Sequence, residues 1–155
     1  MPSGRTHLKI EMIGLLIGTI AVAVLVVEGR IDTWFGGIFL SAYLFSSLFL
    51  SPDLDLHNSR ATRRWGIARA LWLPYSWVFR HRAVSHHLLL GPLTRIAYLG
   101  GILLLILWGI GSLTGRSLRP ALPPWPIFLA ALCGLYLPNQ IHSVVDRLVS
   151  FRWHR

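Results

Sequence analysis

The residues able to do chemistry in this chain are seven histidines and six carboxylates, and most fall in four short stretches. His7 is followed at i+4 by Glu11, which puts both on one helix face. Asp53, Asp55 and His57 alternate in SPDLDLH, and in an extended stretch they point the same way. His81 and His86 stand five apart in HRAVSHH. His142 and Asp146, again i and i+4, have the spacing with which two ligands share a metal on a helix. Imidazoles mixed with carboxylates suit Zn, Mn, Fe or Ni better than Ca or Mg. Each motif alone has a plainer reading. A DxD is more often a solvated turn or a helix cap, an HxxxD pair is often only hydrogen-bonded, and Glu11 has Arg5 and Lys9 nearby as ion-pair partners. His87 points away from His86 on a helix, and His154 belongs to the tail.

The elements that must position these groups are apolar. Of 155 residues, 54% are hydrophobic and only 14% charged, and the hydrophobic ones are bunched. Ile10–Val27 holds one charge, Glu11, whereas Trp34–Leu50, Ile96–Leu113 and Trp125–Ile141 hold none. A helix of about 20 residues crosses the hydrocarbon core of a bilayer. The expectation is therefore an all-α polytopic membrane protein, a single membrane domain over residues 1–155. Its four transmembrane helices fall at about 10–28, 34–50, 96–113 and 125–146. The first run is long for a signal-peptide core, and Val-Glu-Gly-Arg-Ile-Asp is a poor cleavage site, so it reads as a retained helix. Cys133 stands alone in the fourth run and reads as a small buried hydrophobe. Gly109 and Gly111 are small enough for close helix packing.

The net charge of +9 suggests nucleic acid only if the arginines are taken out of context. Seven of them lie between 51 and 95, others at both termini, and few in the turns around 28–33 and 114–124. The positive-inside rule then puts both termini and the 51–95 segment in the cytoplasm, with Trp34 and Trp125 at the opposite interface. This is the topology of a protein of a bacterial cytoplasmic membrane. Within 51–95, the stretch Arg60–Phe79 mixes arginines with aromatics, as an amphipathic helical segment lying along lipid headgroups does, and Pro74 breaks or kinks it. Every histidine falls at or near that cytoplasmic face, together with Asp53, Asp55 and Asp146. Such groups are costly in a membrane without partners or a job.

THLKIEMIG, SPDLDLH, HRAVSHHLLLGPL and HSVVD, in that order, resemble the predicted metal-binding membrane proteins of domain-of-unknown-function family 2227. More distantly they are similar to the YdjM-like membrane-bound metal-dependent hydrolases. The order covers nearly the whole chain. The resemblance implicates His7, Asp53, Asp55, His81, His86, His142 and Asp146 in a metal site, and His57 fits the first family's PDLDLH. His87, following the HRxxSH core, departs from the pattern and leaves the choice between His86 and His87 open. The resemblance suggests hydrolysis without naming a substrate.

The resulting expectation is a metal-dependent hydrolase at the cytoplasmic membrane face, using one or two divalent transition ions, zinc first, on a phosphoester of a lipid or amphiphile. Asp55 and His86 are the catalytic candidates. Arg80 and Arg82 are placed to clamp a phosphate or carboxylate. Glu11 and Ser85 orient ligands from behind. Membrane lipids are the expected partners and nucleic acid is not. The competing expectation is a non-catalytic site that is structural, senses metal or handles it.

Overall fold

The computed structural model describes residues 4–55, 59–79, 87–118 and 120–152, and every regular element among them is helical. In chain order these are α1 (Gly4–Val27), α2 (Thr33–Phe49), a 3-10 turn Pro52–Asp55, α3 (Arg60–Arg64), a second 3-10 turn Gly66–Leu71, α4 (Trp72–Val78), α5 (Leu90–Thr114) and α6 (Trp125–Arg152). Gly4–Val27, Leu90–Thr114 and Trp125–Val149 are long and apolar enough to cross a membrane. The expectation of four spans is met in length by these three. At 17 residues α2 extends about 26 Å, somewhat less than a hydrocarbon core.

Burial runs opposite to that of a water-soluble fold. His7, Glu11, Ser46, Ser47, Arg95, Asn139, His142 and Ser143 are buried, while Ile13, Leu16, Ile17, Ile20, Leu103 and Leu105 are exposed. Cys133, expected inside, faces outward. The interior is therefore organised by polar contacts and close backbone approach, together with one small apolar cluster.

The α2–α6 pair is the closest. A Cβ on Gly134 would sit 2.8 Å from that of Ala42 and against the Phe39 carbonyl, so only glycine admits this approach. α1 lies on α2 with Val22 over Gly36, and the Tyr43 hydroxyl donates to the Glu11 carbonyl at 3.0 Å. α5 joins the others at its beginning. There the Tyr136 hydroxyl donates to the Leu88 carbonyl at 2.8 Å, as does the Gln140 amide. A Cβ on Gly111 would sit 2.6 Å from the Arg116 carbonyl oxygen, against the loop that leaves its own helix, while one on Gly109 would meet nothing within 4 Å.

The connection between α2 and α5 departs from a single interfacial helix. It is broken at Gly66, whose φ of +56° is a left-handed conformation favouring glycine. Pro74 does not break it, because it falls in the first turn of α4, where no amide needs an intrahelical acceptor. Pro52–Asp55 is likewise a 3-10 turn rather than an extended strand. At three residues per turn Asp53 and Asp55 do not share a face.

These short elements finish α2. Its last turn holds no basic residue, yet its terminal carbonyls need donors. Arg64 donates to Leu48 at 3.0 Å, the Trp65 indole to Phe49 at 2.9 Å and Arg95 to Leu50 at 2.5 Å. Two cations at the negative end of the helix are favourable in themselves. Arg95, 1% exposed, also donates to Gly91 at 2.9 Å and to Asn139 Oδ1 at 2.6 Å. Asn139 passes the network on to Ser46 Oγ at 2.9 Å. Beside it Trp72 and Tyr75 pack with Leu50, Leu54 and Ala61 into an apolar knot. The start of α1, the end of α2, the start of α5 and the second half of α6 thus meet at one pole of the bundle.

Candidate metal centre

At that pole the i, i+4 pairs of α1 and α6 interlock. His7 Nε2 lies 3.1 Å from Asp146 Oδ1, and His142 Nε2 lies 3.7 Å from Asp146 Oδ2. His142 Nδ1 lies 3.1 Å from Glu11 Oε1. The imidazoles stack with centroids 3.8 Å apart and planes 14° from parallel. Neighbours on one helix are therefore not each other's main partners. His7 of α1 meets Asp146 of α6, and His142 of α6 meets Glu11 of α1. Glu11 turns inward to His142, not outward to Arg5 or Lys9.

One ligand atom from each of His7, His142 and Asp146 lies within 4.8 Å of the others. Two donors on a tetrahedral zinc are about 3.3 Å apart, and each histidine here has an Asp146 oxygen near that distance, Oδ1 at 3.1 Å from His7 and Oδ2 at 3.7 Å from His142. The protonation pattern fits as well. Donation of His142 Nδ1–H to Glu11 leaves a lone pair on Nε2, which faces the cluster; a carboxylate behind a ligand histidine is the usual support of a metal site. His7 Nδ1 is buried and has no hydrogen-bond partner among the described residues, and such an orphan in a native interior calls for an explanation. Both imidazoles are nearly fully buried, at 4% and 2% exposed. Two histidines and a carboxylate brought together in this way form a donor set that fits a divalent transition ion.

A cavity of about 20 Å³ adjoins the cluster, room for about one water. His7, Glu11, His142, Ser47 and Asp53 line it, together with Arg60 and Arg64. Arg60 and Arg64 were not among the residues expected to meet an anion. Their i, i+4 spacing just beyond SPDLDLH was the available signal.

The other expected site residues divide as follows. Asp53 reaches the cavity. Asp55 lies in the Pro52–Asp55 turn, and its side chain is outside the described residues. His57, Arg80, His81, Arg82, Ser85 and His86 also lie outside the described residues.

A protein of Aquifex aeolicus (strain VF5), itself described only as an uncharacterized protein, is 50% identical over 58 residues. The match takes in 37% of this chain and 40% of that one, so it spans about two fifths of the relative's length. No solved structure matches. The family model described as "Uncharacterized metal-binding protein (DUF2227)" matches residues 2–155, and the chain belongs to that family.

Proposed function

We propose that the chain is a membrane-embedded, metal-dependent hydrolase that works at the cytoplasmic face on a phosphoester of a lipid or amphiphile. One observation carries this reading: His7 and His142, two donors of the His7–His142–Asp146 cluster, line a water-sized cavity that Asp53, Arg60 and Arg64 also line. Among the described residues the cluster offers three protein ligands, the number that catalytic zinc sites use beside a water, whereas structural sites are closed by four.

A bound transition ion supplies Lewis acidity at this point. The rest falls to the side chains. His7, His142 and Asp146 hold the ion, and Glu11 fixes the tautomer and ring orientation of His142. Asp53, which also lines the cavity, is placed to accept a proton from an attacking water. Arg60 and Arg64 offer guanidinium forks to the phosphoester oxygens. Asp55, His57, His81 and His86 extend the proposed ligand set, and Arg80 and Arg82 the anion clamp. With those additional ligands a second ion is accommodated.

Four spans, with both termini and the 51–95 segment on the cytoplasmic side, are part of the proposal. The arginine distribution supports the orientation. Exposed Trp34 and Trp125 at the opposite ends of α2 and α6 suit an interfacial aromatic belt. The exposed aliphatic residues of α1 and α5 suit lipid as their solvent.

A second reading, a closed structural or sensing site, is favoured by the near-complete burial of both histidines. Elemental analysis of detergent-purified protein beside His142→Ala and Asp55→Asn separates the two. One or two equivalents of transition metal, reduced in the variants and accompanied by turnover of a phosphodiester by the wild type alone, is the expected result. Bound metal with no turnover supports the structural reading. Absence of metal after metal-replete expression overturns both.

A further inference from the structure

A second concavity lies on the other side of the Pro52–Asp55 turn and α3. It holds about 410 Å³ and is lined by Leu54, Ile67, Ala70, Trp72 and Leu73, with Arg69 as the one charged lining residue among the described residues. That volume is within the range of small-molecule sites, which are mostly apolar with a few placed polar groups. Trp72 is 1% exposed, and its indole Nε1 finds no hydrogen-bond partner among the described residues. Its neighbours Trp65, Tyr75 and Tyr98 meet it ring to ring, which satisfies its apolar surface and leaves the N–H unmet.

We propose that this groove seats one acyl chain of an anionic membrane lipid, with Arg69 binding the headgroup phosphate. Charge selects the class of ligand, since residues 56–95 include seven arginines and no carboxylate. Exposure places the groove at a bilayer. Ile67 on its rim is 98% exposed, and Trp77 and Val78 on the following helix also project outward. A basic, aromatic-rich segment with such a face lies in the headgroup region. The groove and the metal cavity share a wall. Leu54 lines one and Asp53 the other, and Thr62 faces the groove while Arg60 and Arg64 face the cavity. A lipid held here has its headgroup beside the basic rim of the metal cavity. The inference rests on the membrane-embedded reading and is independent of hydrolysis.

The test is native mass spectrometry of the delipidated full chain in neutral detergent, titrated with phosphatidylglycerol or with diacylglycerol, which has the acyl chains and no phosphate. The wild type is expected to retain one phosphatidylglycerol with about tenfold preference, the worth of one charge-assisted contact. Ala70→Trp, which fills the groove, abolishes the retained lipid. Arg69→Gln keeps a lipid and loses the preference. Membrane extraction and metal content of both variants are measured alongside. Unchanged values, together with the lipid effects, assign the loss to the groove. Equal retention of the two lipids by the wild type, or full retention by Ala70→Trp, overturns the proposal. If Ala70→Trp does not fold, Arg69→Gln decides, and an unaltered preference in that variant overturns it as well. Failure of the wild type to fractionate with membranes points instead to the membrane reading itself.

Discussion

Replacing Arg95 by methionine should destabilise the bundle and weaken the metal site together. The methionine retains most of the volume but leaves the Leu50 carbonyl and Asn139 Oδ1 without the donor they now have at 2.5 and 2.6 Å. Each unsatisfied buried acceptor costs roughly 1–3 kcal/mol. Part of that is returned because a cation no longer has to be buried, and a net loss of about 3 kcal/mol is expected. For a chain of this size each kcal/mol lowers Tm by about 2–4 °C, so the variant should unfold about 6–12 °C below wild type. Near-UV circular dichroism in detergent reads the transition. Arg116→Met, an exposed arginine, is the control and should stay within about 0.5 kcal/mol. Leu50 precedes Asp53 by three residues, so the same variant should hold metal less tightly while still folded at low temperature. A Tm within 2 °C of wild type, with metal content unaltered, would refute the claim that Arg95 anchors the end of α2 and the turn beyond it.

Three further outcomes are expected. Glu11→Gln keeps the shape and removes the carboxylate behind His142, so metal affinity in a competition titration with a chelator should fall by about 10–100-fold; an unaltered affinity would detach Glu11 from the site. Metal affinity should fall as pH is lowered from 8 to 5, because imidazoles must be unprotonated to ligate; a flat profile over that range would argue against histidine ligands. Gly134→Ala places a methyl 2.8 Å from Ala42 and against the α2 backbone, which should cost about 1–3 kcal/mol in thermal unfolding with little direct effect on the remote metal cluster; a neutral result would mean that α2 and α6 separate easily.

Helical character and the place of His7 and His142 on their helices were legible because both follow from local pattern. Apolar runs of span length name their own secondary structure, and an i, i+4 pair shares a face in any helix. The same logic placed His142 with Asp146 and His7 with Glu11. It failed where local chemistry is ambiguous. SPDLD reads as alternating only if extended, and the 3-10 turn sends Asp53 and Asp55 to different faces. Pro74 was the more obvious breaker of the interfacial stretch, yet the left-handed residue is Gly66. Cys133 looked internal because apolar residues are usually inside, but in this chain the apolar surface is the outside.

By itself, then, the sequence determined which residues share a helix face and that His7 and His142 fall at the same end of the bundle, because spacing and hydropathy are properties of neighbouring residues. Which face meets which is a matter of packing. Spacing along α1 does not say that Glu11 answers His142 across 131 positions, nor that His7 lies against Asp146. Nor does the last turn of α2, which lacks a basic residue, say that its carbonyls are capped by Arg64 and by Arg95, 16 and 45 positions away from them. Those pairings were decided only in the tertiary structure, because a buried polar group needs a partner and its own helix had none left to give.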